Sequence, residues 1–595
     1  MKDMPTDQDQ VSLRGRRWKL AGFPRGVAER LEAKGINRSA ARILASRDVT
    51  PETLEDFLNP MLKNLMPDPF FFLDMEKAVQ RVAKAVMDRQ RIGIWSDYDA
   101  DGATSAAVLG RFLRGLGHED FVVRIPDRLT EGYGPNTPGL LDMRDRQGCN
   151  LICILDAGIV AFEPLAAAKA AGIEVVVLDH HMAEDTVPEA VAVVNPNRKD
   201  QEPGYGHLCA AGVTFIFAVG VTRELRKLGW FAQGKPVPDL MGLLDIVALG
   251  TVCDVVALKG LNRAFVYQGL KVANSKMTPG IRELAEVAGL DLAGGLNETH
   301  FGWQIGPRIN AGGRIASSLL GAEILLEDDD RIAKERAQAL DAINTERKEI
   351  EKAVTEVAMA KLADRIPGTT RTLALAVVEN AHEGVVGISA GRVREAFDAP
   401  AIVVTHDHEG NLKGSARSVP GFDIGHAIIA ARKAGLIVKG GGHGAAGGLT
   451  LRPDQLEGFI AFMNADIATT AYHEDGVHSE ADLELSLHEL DVKAIESFDV
   501  MRPFGQANPE PRIILKHARL ADIRIMKDVH MKLNLEDGRV KVDVLAWNMV
   551  GTPLGDRIMA ARGELVDVLG KPGINEWNGR KSVQMIMDDI RVLAD

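Results

Sequence analysis

RIGIWSDYDADGATSAAVLGRFLRGLG, residues 91–117, carries the change of pattern that decides the fold. RIGIWS is a short apolar run, DYDADG is a polar loop, and ATSAAVLGRFLRGLG has apolar residues at helical spacing. Strand, loop and helix in that order open a β-α-β unit. NLICIL, IEVVVL and AVAVV follow as further short runs rich in β-branched residues. AFEPLAAAKAAG, between the first two of these, reads as a crossover helix. The alternation predicts an α/β fold with a parallel sheet covered by helices on both faces.

Working outward, residues 1–88 read as a disordered tail of about a dozen residues and then a helical segment interrupted at FLNPMLKNLMPDPFFFLDM. Residues 89–325 form the α/β domain, with helices expected over 209–227 and 239–250. The stretch from about 328 to 363 has no Pro or Gly and is rich in Ala, Glu, Lys and Arg. It predicts one long connecting helix, 326–364, with most of its charges solvated. A smaller α/β domain spans 365–468, with TLALAVVEN, a helix around ISAGRVREAF, and AIVVT. Residues 469–595 change character. HMKLNL and VKVDVLAW alternate at period two and are joined at Glu536-Asp537-Gly538, and SVQMIM follows Asn578-Gly579. These are hairpin signals of a small β-domain, plausible as a barrel.

A chain of 595 residues exceeds one core, so three or four domains are expected. Its 46 % hydrophobic and 26 % charged content is that of a globular protein. The net charge of −13 counts mildly against a nucleic-acid binder, although a local basic strip outweighs the sum. Carboxylates that hold cations make a chain acidic by themselves. Cys149, Cys153, Cys209 and Cys253 form no CxxC pair, which argues against a zinc ribbon and for a reduced compartment. MKDMPTDQDQ has no apolar h-region, and no run reaches about 18 apolar residues. The expectation is a soluble, cytoplasmic protein with no membrane contact.

Asp97, Asp99 and Asp101 stand at i, i+2 and i+4 directly after an apolar strand and before Gly102. Carboxylates so close together repel unless a cation neutralises them. An EF-hand loop matches the first six positions, but Val108 stands where the twelfth needs a bidentate Glu, and a strand replaces the entering helix. LICIL runs into Asp156-Ala157-Gly158, and EVVVL into Asp179-His180-His181. Parallel strands share one carboxyl edge, where open α/β sheets place their sites. LDIVALGTVCDVV adds Asp254 at the end of an apolar segment. Three such strand ends together point to a metal, and carboxylates with imidazole suit Mn2+ or Mg2+.

DYDADG, LDAG and DHH resemble the DHH phosphoesterase superfamily. HEGVVGISAGR, GSARS and GGGHGAAGG look like its second domain, of the DHHA1 type. FLNPMLKNLMPDP, IPDRLTEGYG, GPRINAGGR and RPFGQANPEP are similar to segments of the RecJ family of single-strand-specific exonucleases, in order along nearly the whole chain. The resemblance implies a DHH domain with two divalent cations, Mn2+ or Mg2+, a DHHA1 domain and a C-terminal OB-fold. It also implies release of 5′-mononucleotides from single-stranded DNA in the 5′→3′ direction, in DNA repair and recombination. One cation would take Asp97, Asp99 and Asp156. The other would take Asp101, Asp156, His180 and Asp254. Asp179 would orient a histidine, while His181 and Arg314 would act on the phosphate. Arg128, Tyr133, Arg308, Asn310, His382, Ser415, Arg417, Ser418, Gly442 and His443 would bind substrate. A single-strand binding protein and a helicase are partners suggested by the family alone, and a monomer is expected.

Gly442-x-Gly444-x-x-Gly447 fits the dinucleotide fingerprint, but LTLR follows where a helix should begin. Backbone N–H groups approaching a phosphate beside His443 explain the glycines better. Between Arg502 and Lys541 nine Lys or Arg face five Asp or Glu, a local reversal of the overall sign. OB-folds bind single strands with such grooves and with stacking aromatics. Aromatics are few here: Phe504, Trp547 and Trp577, with Trp547 read as core. Two alternatives remain. One is a phosphodiesterase for short oligonucleotides or cyclic dinucleotides, whose relatives lack the β-domain. The other is a non-catalytic DNA-binding scaffold, which would have lost ligands that this chain keeps.

Overall fold

The computed structural model describes residues 11–128, 130–368, 370–577 and 579–593. Two compact units emerge. One holds Glu55–Lys348 with Pro503–Pro509, and the other holds the residues up to Leu54, Glu349–Arg502 and those from Glu510 on.

The first unit is built on five strands: β1 (Ile92–Ser96), β2 (Phe121–Arg124), β3 (Leu151–Leu155), β4 (Glu174–Leu178) and β5 (Ala192–Val194). All pairings are parallel, in the order β2-β1-β3-β4-β5. β1 and β3 are buried at every residue, as a sheet covered on both faces requires. Alternate residues feed two cores. Ile94, Cys153, Leu155, Val176 and Leu178 pack with α1 (Met75–Met87), α2 (Ala100–Gly115) and α5 (Ala210–Lys227). Trp95, Ile152, Ile154, Val175 and Val177 pack on the other face with α3 (Thr137–Asp145) and α4 (Phe162–Ala170). The period of two in these apolar runs therefore makes a three-layer sandwich. Further helices complete the site's frame: α6 (Leu244–Cys253), α7 (Gly306–Ile315) and the part up to Lys348 of the long α8 (Asp330–Lys361).

In the second unit, β6 (Ala374–Val377), β7 (Ala401–His406), β8 (Leu412–Arg417), β9 (Lys439–His443) and β10 (Ala446–Leu451) form a sheet in the order β9-β10-β8-β7-β6. Its helices include α9 (Glu383–Phe397) and α10 (Ile424–Lys433). The glycine run expected to cradle phosphate is itself a hairpin, with Gly442 opposite Gly447. A Cβ on Gly442 would lie 2.4 Å from the Ala446 carbonyl oxygen, and one on Gly425 of α10 would lie 2.6 Å from that of His443. Close strand and helix packing leaves no room for a side chain at Gly442 or Gly425.

The same unit contains a closed barrel of β11 (Ile513–Met526), β12 (His530–Asp537), β13 (Val540–Ala546), β14 (Leu565–Trp577) and β15 (Arg580–Val592). It runs β11-β12-β13-β15-β14 and closes through β14 onto β11. Trp547 is not core. β13 ends at Ala546, and Trp547 is 43 % exposed, edge-on to His530 at 4.7 Å between ring centroids. The side chain of Trp577, Asn578 and the first ten residues of the expected tail lie outside the described residues. Just past these first residues, Ser12 is buried and accepts from the Arg14 and Arg16 amides. Arg17–Leu20 then forms a parallel pair with His478–Ala481. Trp18 Nε1 donates to Asp589 Oδ2 at 3.1 Å.

Candidate metal centre

Register positions the centre. Ser96 pairs with Leu155, Leu155 with Leu178, and Leu178 with Val194. The next residue on each strand is therefore Asp97, Asp156, Asp179 and Asn195, side by side along the carboxyl edge. The strand order reverses between β1 and β3, and ligands of open α/β sheets bind at such a switch point.

Each acid is held differently. Asp99 caps α2, its Oδ1 accepting from the Asp101 and Gly102 amides at 2.9 and 3.1 Å. Asp101 accepts from the Ala210 and Ala211 amides at 2.6 and 3.0 Å, the positive start of α5. Asp156 has a left-handed backbone, φ 57°, a conformation that costs a non-glycine residue about 1–3 kcal/mol and clusters at functional sites. Asp254 follows the end of α6. His180 Nε2 lies 3.2 Å from Asp156 Oδ1, 3.7 Å from Asp254 Oδ2 and 3.8 Å from Asp101 Oδ2.

Burial, reinforced by the neighbouring carboxylates, raises Asp97, Asp101 and Asp156 above the ordinary carboxylate range. Burial followed by the charges of Asp101 and Asp99 pushes Asp254 up to about 9. Asp97 Oδ1, Asp156 Oδ1, Asp254 Oδ2 and His180 Nε2 are all buried without a hydrogen-bond partner among the described residues. Leaving even one such group unmatched costs several kcal/mol, roughly, if it stays charged. Ligand atoms of Asp97, Asp99 and Asp156 lie within 4.8 Å of one another, as do those of Asp101, His180 and Asp254, and those of Asp156, His180 and His181. Oxygen and imidazole donors without thiolate fit a divalent cation such as Mn2+ or Mg2+. Burial raises the Cys209 and Cys253 thiols, which keeps them protonated beside the cluster.

Asp179 is fully buried and belongs to the histidines. Its Oδ1 lies 2.8 Å from His181 Nδ1 and accepts from the His180 and His181 amides at 2.7 and 3.1 Å. Burial works against its charge, but the His181 hydrogen bond and charge outweigh it and hold Asp179 below the usual range. His181 is raised in turn, because Asp179 outweighs the burial that would lower it. The Tyr133 hydroxyl lies 3.1 Å from His181 Nδ1. Burial of that hydroxyl, with the carboxylates around it, keeps the phenol protonated.

GPRINAGGR braces the carboxylate loop. Asn310 Oδ1 accepts from the Ala100 amide at 2.9 Å, and a Cβ on Gly313 would lie 2.3 Å from the Tyr98 carbonyl oxygen. Arg308 spends its fork on Asp341 at 2.8 Å and on the Gln304 carbonyl at 2.7 Å. Arg308 and Asn310, expected on substrate, thus make these contacts within the metal-bearing unit. Arg128 stacks over the Tyr98 ring at 5.0 Å and lowers Asp97 by its charge, which offsets part of the burial. The Arg314 charge acts on Tyr98.

Three family models match: the DHH family, N-terminal domain over residues 91–251, the DHHA1 domain over 370–469, and the RecJ OB domain over 481–589. The single-stranded-DNA-specific exonuclease RecJ of Dickeya dadantii is 36 % identical over 526 residues, covering 86 % of this chain and 90 % of that protein. The Escherichia coli protein of the same name is 34 % identical, covering 92 % and 95 %. The crystal structure of RecJ in complex with Mn2+ from Thermus thermophilus superposes with a TM-score of 0.78 at 26 % identity, covering 97 % of this chain and 80 % of that one. The chain belongs to the RecJ family.

In this RecJ family member the remaining candidates lie on the second unit. His382 caps α9, its Nδ1 accepting from the Gly384 amide at 3.1 Å. Ser415 and Arg417 share one face of β8, with Arg417 Nη1 donating to Ser415 Oγ at 2.9 Å. A Cβ on Gly387 of α9 would lie 3.0 Å from both side chains, so the helix passes directly over the pair. Ser418 is buried and donates to the Phe422 carbonyl at 2.6 Å, so its donor is spent inside the loop. Gly442 and His443 sit at the exposed end of the β9–β10 hairpin. Sequence reasoning missed Asn195 and Asn197. Their side-chain amides donate to the His181 carbonyl at 2.9 Å and the His180 carbonyl at 2.5 Å. The signal was present in NPN, which ends the AVAVV strand as the aspartates end the others.

Proposed function

We propose that the chain is a single-stranded-DNA-specific exonuclease, bound to two divalent cations, Mn2+ or Mg2+, that releases 5′-mononucleotides in the 5′→3′ direction. The observation that carries the reading is the set of four buried atoms on Asp97, Asp156, Asp254 and His180 without a hydrogen-bond partner among the described residues, in a chain of the RecJ family. One cation is assigned to Asp97, Asp99 and Asp156. The other is assigned to Asp101, Asp156, His180 and Asp254, with Asp156 shared. When bound, the two ions activate a water and neutralise charge on the phosphoryl oxygens.

The protein's own groups do the rest. Asp101 is pinned by two helix N–H groups and Asp99 by its cap, so neither needs to reorganise when the phosphate arrives. Asp179 fixes the His181 ring and sustains its proton, and His181 is assigned to the departing 3′-oxygen. Arg128 is assigned to a phosphate on the metal side. On the second unit, Ser415 and Arg417 are assigned to the terminal 5′-phosphate, which the Arg fork matches in geometry. The barrel is assigned to the single strand. Action as a cytoplasmic monomer beside a single-strand binding protein and a helicase belongs to this reading.

The test is incubation with Mn2+ and 5′- or 3′-labelled single strands, duplexes and dinucleotides. Release of the 5′ label alone, as mononucleotide from single strands, is expected. Cleavage confined to dinucleotides would replace this reading with the short-oligonucleotide phosphodiesterase.

A further inference from the structure

Asp254 is held by a different kind of backbone. Asp97, Asp156 and His180 leave the ends of sheet strands, and Asp99 and Asp101 sit at the start of α2, whereas Asp254 leaves the carboxyl end of a helix. The next residue, Val255, is β-branched, left-handed at φ 57° and 66 % exposed. Such a conformation persists only where the surroundings over-determine it. Two anchors lie just beyond it. The Ala257 carbonyl accepts from buried Asn262 Nδ2 at 3.1 Å, and the Leu258 amide donates to the Gln506 carbonyl at 2.8 Å.

Gln506 comes from Pro503–Pro509, which packs with the metal-bearing unit although the sequence places it just before β11 of the barrel. The Phe504 amide donates to Glu298 Oε1 at 3.0 Å, and Arg263 Nη1 donates to the Pro503 carbonyl at 3.2 Å. A Cβ on Gly505 would lie 2.7 Å from Leu258 Cδ1. The segment also closes on itself. Gly505 and Asn508 exchange backbone hydrogen bonds at 2.9 and 3.1 Å, and Asn508 Nδ2 donates to the Pro503 carbonyl at 2.8 Å. Ala507 takes the left-handed turn position, φ 62°. Phe504 and Asn508 are buried. A plain linker would be exposed and thinly bonded.

We infer that Pro503–Pro509 is a clamp that positions Asp254 for its cation, with Gly505, Gln506 and Asn508 as positioning residues. The inference rests on the two-ion reading of the centre. By holding the Leu258 amide, the clamp fixes the far end of the short loop whose near end is Asp254. Support of this kind behind a metal ligand is worth 10–100-fold in affinity, roughly.

The experiment uses the full chain. Asn508→Asp keeps the side-chain shape but removes the donor, and Gly505→Ala pushes on Leu258. Mn2+ affinity is measured without DNA, by the electron paramagnetic resonance of free Mn2+. Circular dichroism and melting in chelator follow the fold, and anisotropy in chelator follows single-strand binding. One Mn2+ site is expected to weaken by about tenfold or more while the other holds. Folding and single-strand binding stay unchanged, and excess Mn2+ restores kcat with KM for DNA unaltered. Unchanged Mn2+ affinities in both folded variants would overturn the clamp, as would loss of both sites together with the melting point. If the parent chain binds two Mn2+ but cuts no single strand, the exonuclease reading fails while the clamp measurement stands.

Discussion

Asp156 combines a left-handed backbone, a fully buried carboxylate and an oxygen without a hydrogen-bond partner among the described residues. Asn tolerates that backbone region well, so Asp156→Asn preserves the fold and removes the charge. Turnover is expected to fall by at least about 10³-fold, more than losing one hydrogen-bond donor to a transition state costs. Single-strand binding in chelator stays, and the chelated variant melts no lower than the parent, because a buried repulsion has gone. Retained turnover would sink the assignment of Asp156. Asp179→Asn leaves His181 without its carboxylate, and kcat should drop by about 10–100-fold with little change in KM. The positions of these residues were legible because each follows an apolar strand directly. The backbone strain at Asp156 and the pairing of Asp179 with His181 rather than His180 were not, since both depend on neighbours brought in by other strands.

At the level of elements, the loop between β1 and α2 is built to close tolerance. A Cβ on Gly102 would lie 2.2 Å from the Asp97 carbonyl oxygen. Gly102→Ala must therefore shift the carboxylate loop, and displacements of about 1 Å at a catalytic group cost about 10²-fold. Steady-state kinetics on a short oligonucleotide, with melting as a check of the fold, tests this. In the barrel, Trp547 beside His530 offers an exposed ring to a nucleobase. Trp547→Ala should weaken single-strand binding by about 1–3 kcal/mol in an anisotropy titration and leave Mn2+ binding alone. Apolar runs made β1, β3 and β4 readable. β8 and β9 were hidden, because LKGSAR and KGGGH have no strand-like side-chain pattern and are strands by virtue of what they pair with. Trp547 misled because the alternation of VKVDVLAW continues one residue past the end of the strand.

For the molecule as a whole, the acid cluster couples metal to pH. With no cation bound, burial and then the Asp101 and Asp99 charges push the Asp254 carboxyl up to about 9, well above an unfolded aspartate at about 3.9. A carboxyl raised in this way contributes stability that is full below the unfolded value and is lost as pH rises towards 9. Melting temperature in chelator should therefore fall between pH 6 and pH 9. Saturating Mn2+ should flatten that slope, and Mn2+ binding near pH 7.5 should release protons, measurable by calorimetry in buffers of different ionisation enthalpy. A slope that Mn2+ leaves unchanged would place the titration elsewhere. The net charge of −13 hinted at such a cluster, and the three kinds of domain were legible from periodicity and motif. The division at Leu54, and the return of Pro503–Pro509 to the first unit, were not. Both are fixed by contacts between residues hundreds of positions apart, which no local pattern encodes.

The pairing of Arg17–Leu20 with His478–Ala481, and the bond from the Leu13 amide to the Ile590 carbonyl, carry a consequence for the order of assembly. On the ribosome an early strand must wait, edge exposed, until its partners have been made. Meanwhile most of the metal-bearing unit has emerged and is free to fold. That two-strand pairing forms late, when His478–Ala481 reaches a strand synthesised long before it, and the barrel is made later still, so a nascent chain holds its carboxylates in place before it can grip a strand of DNA.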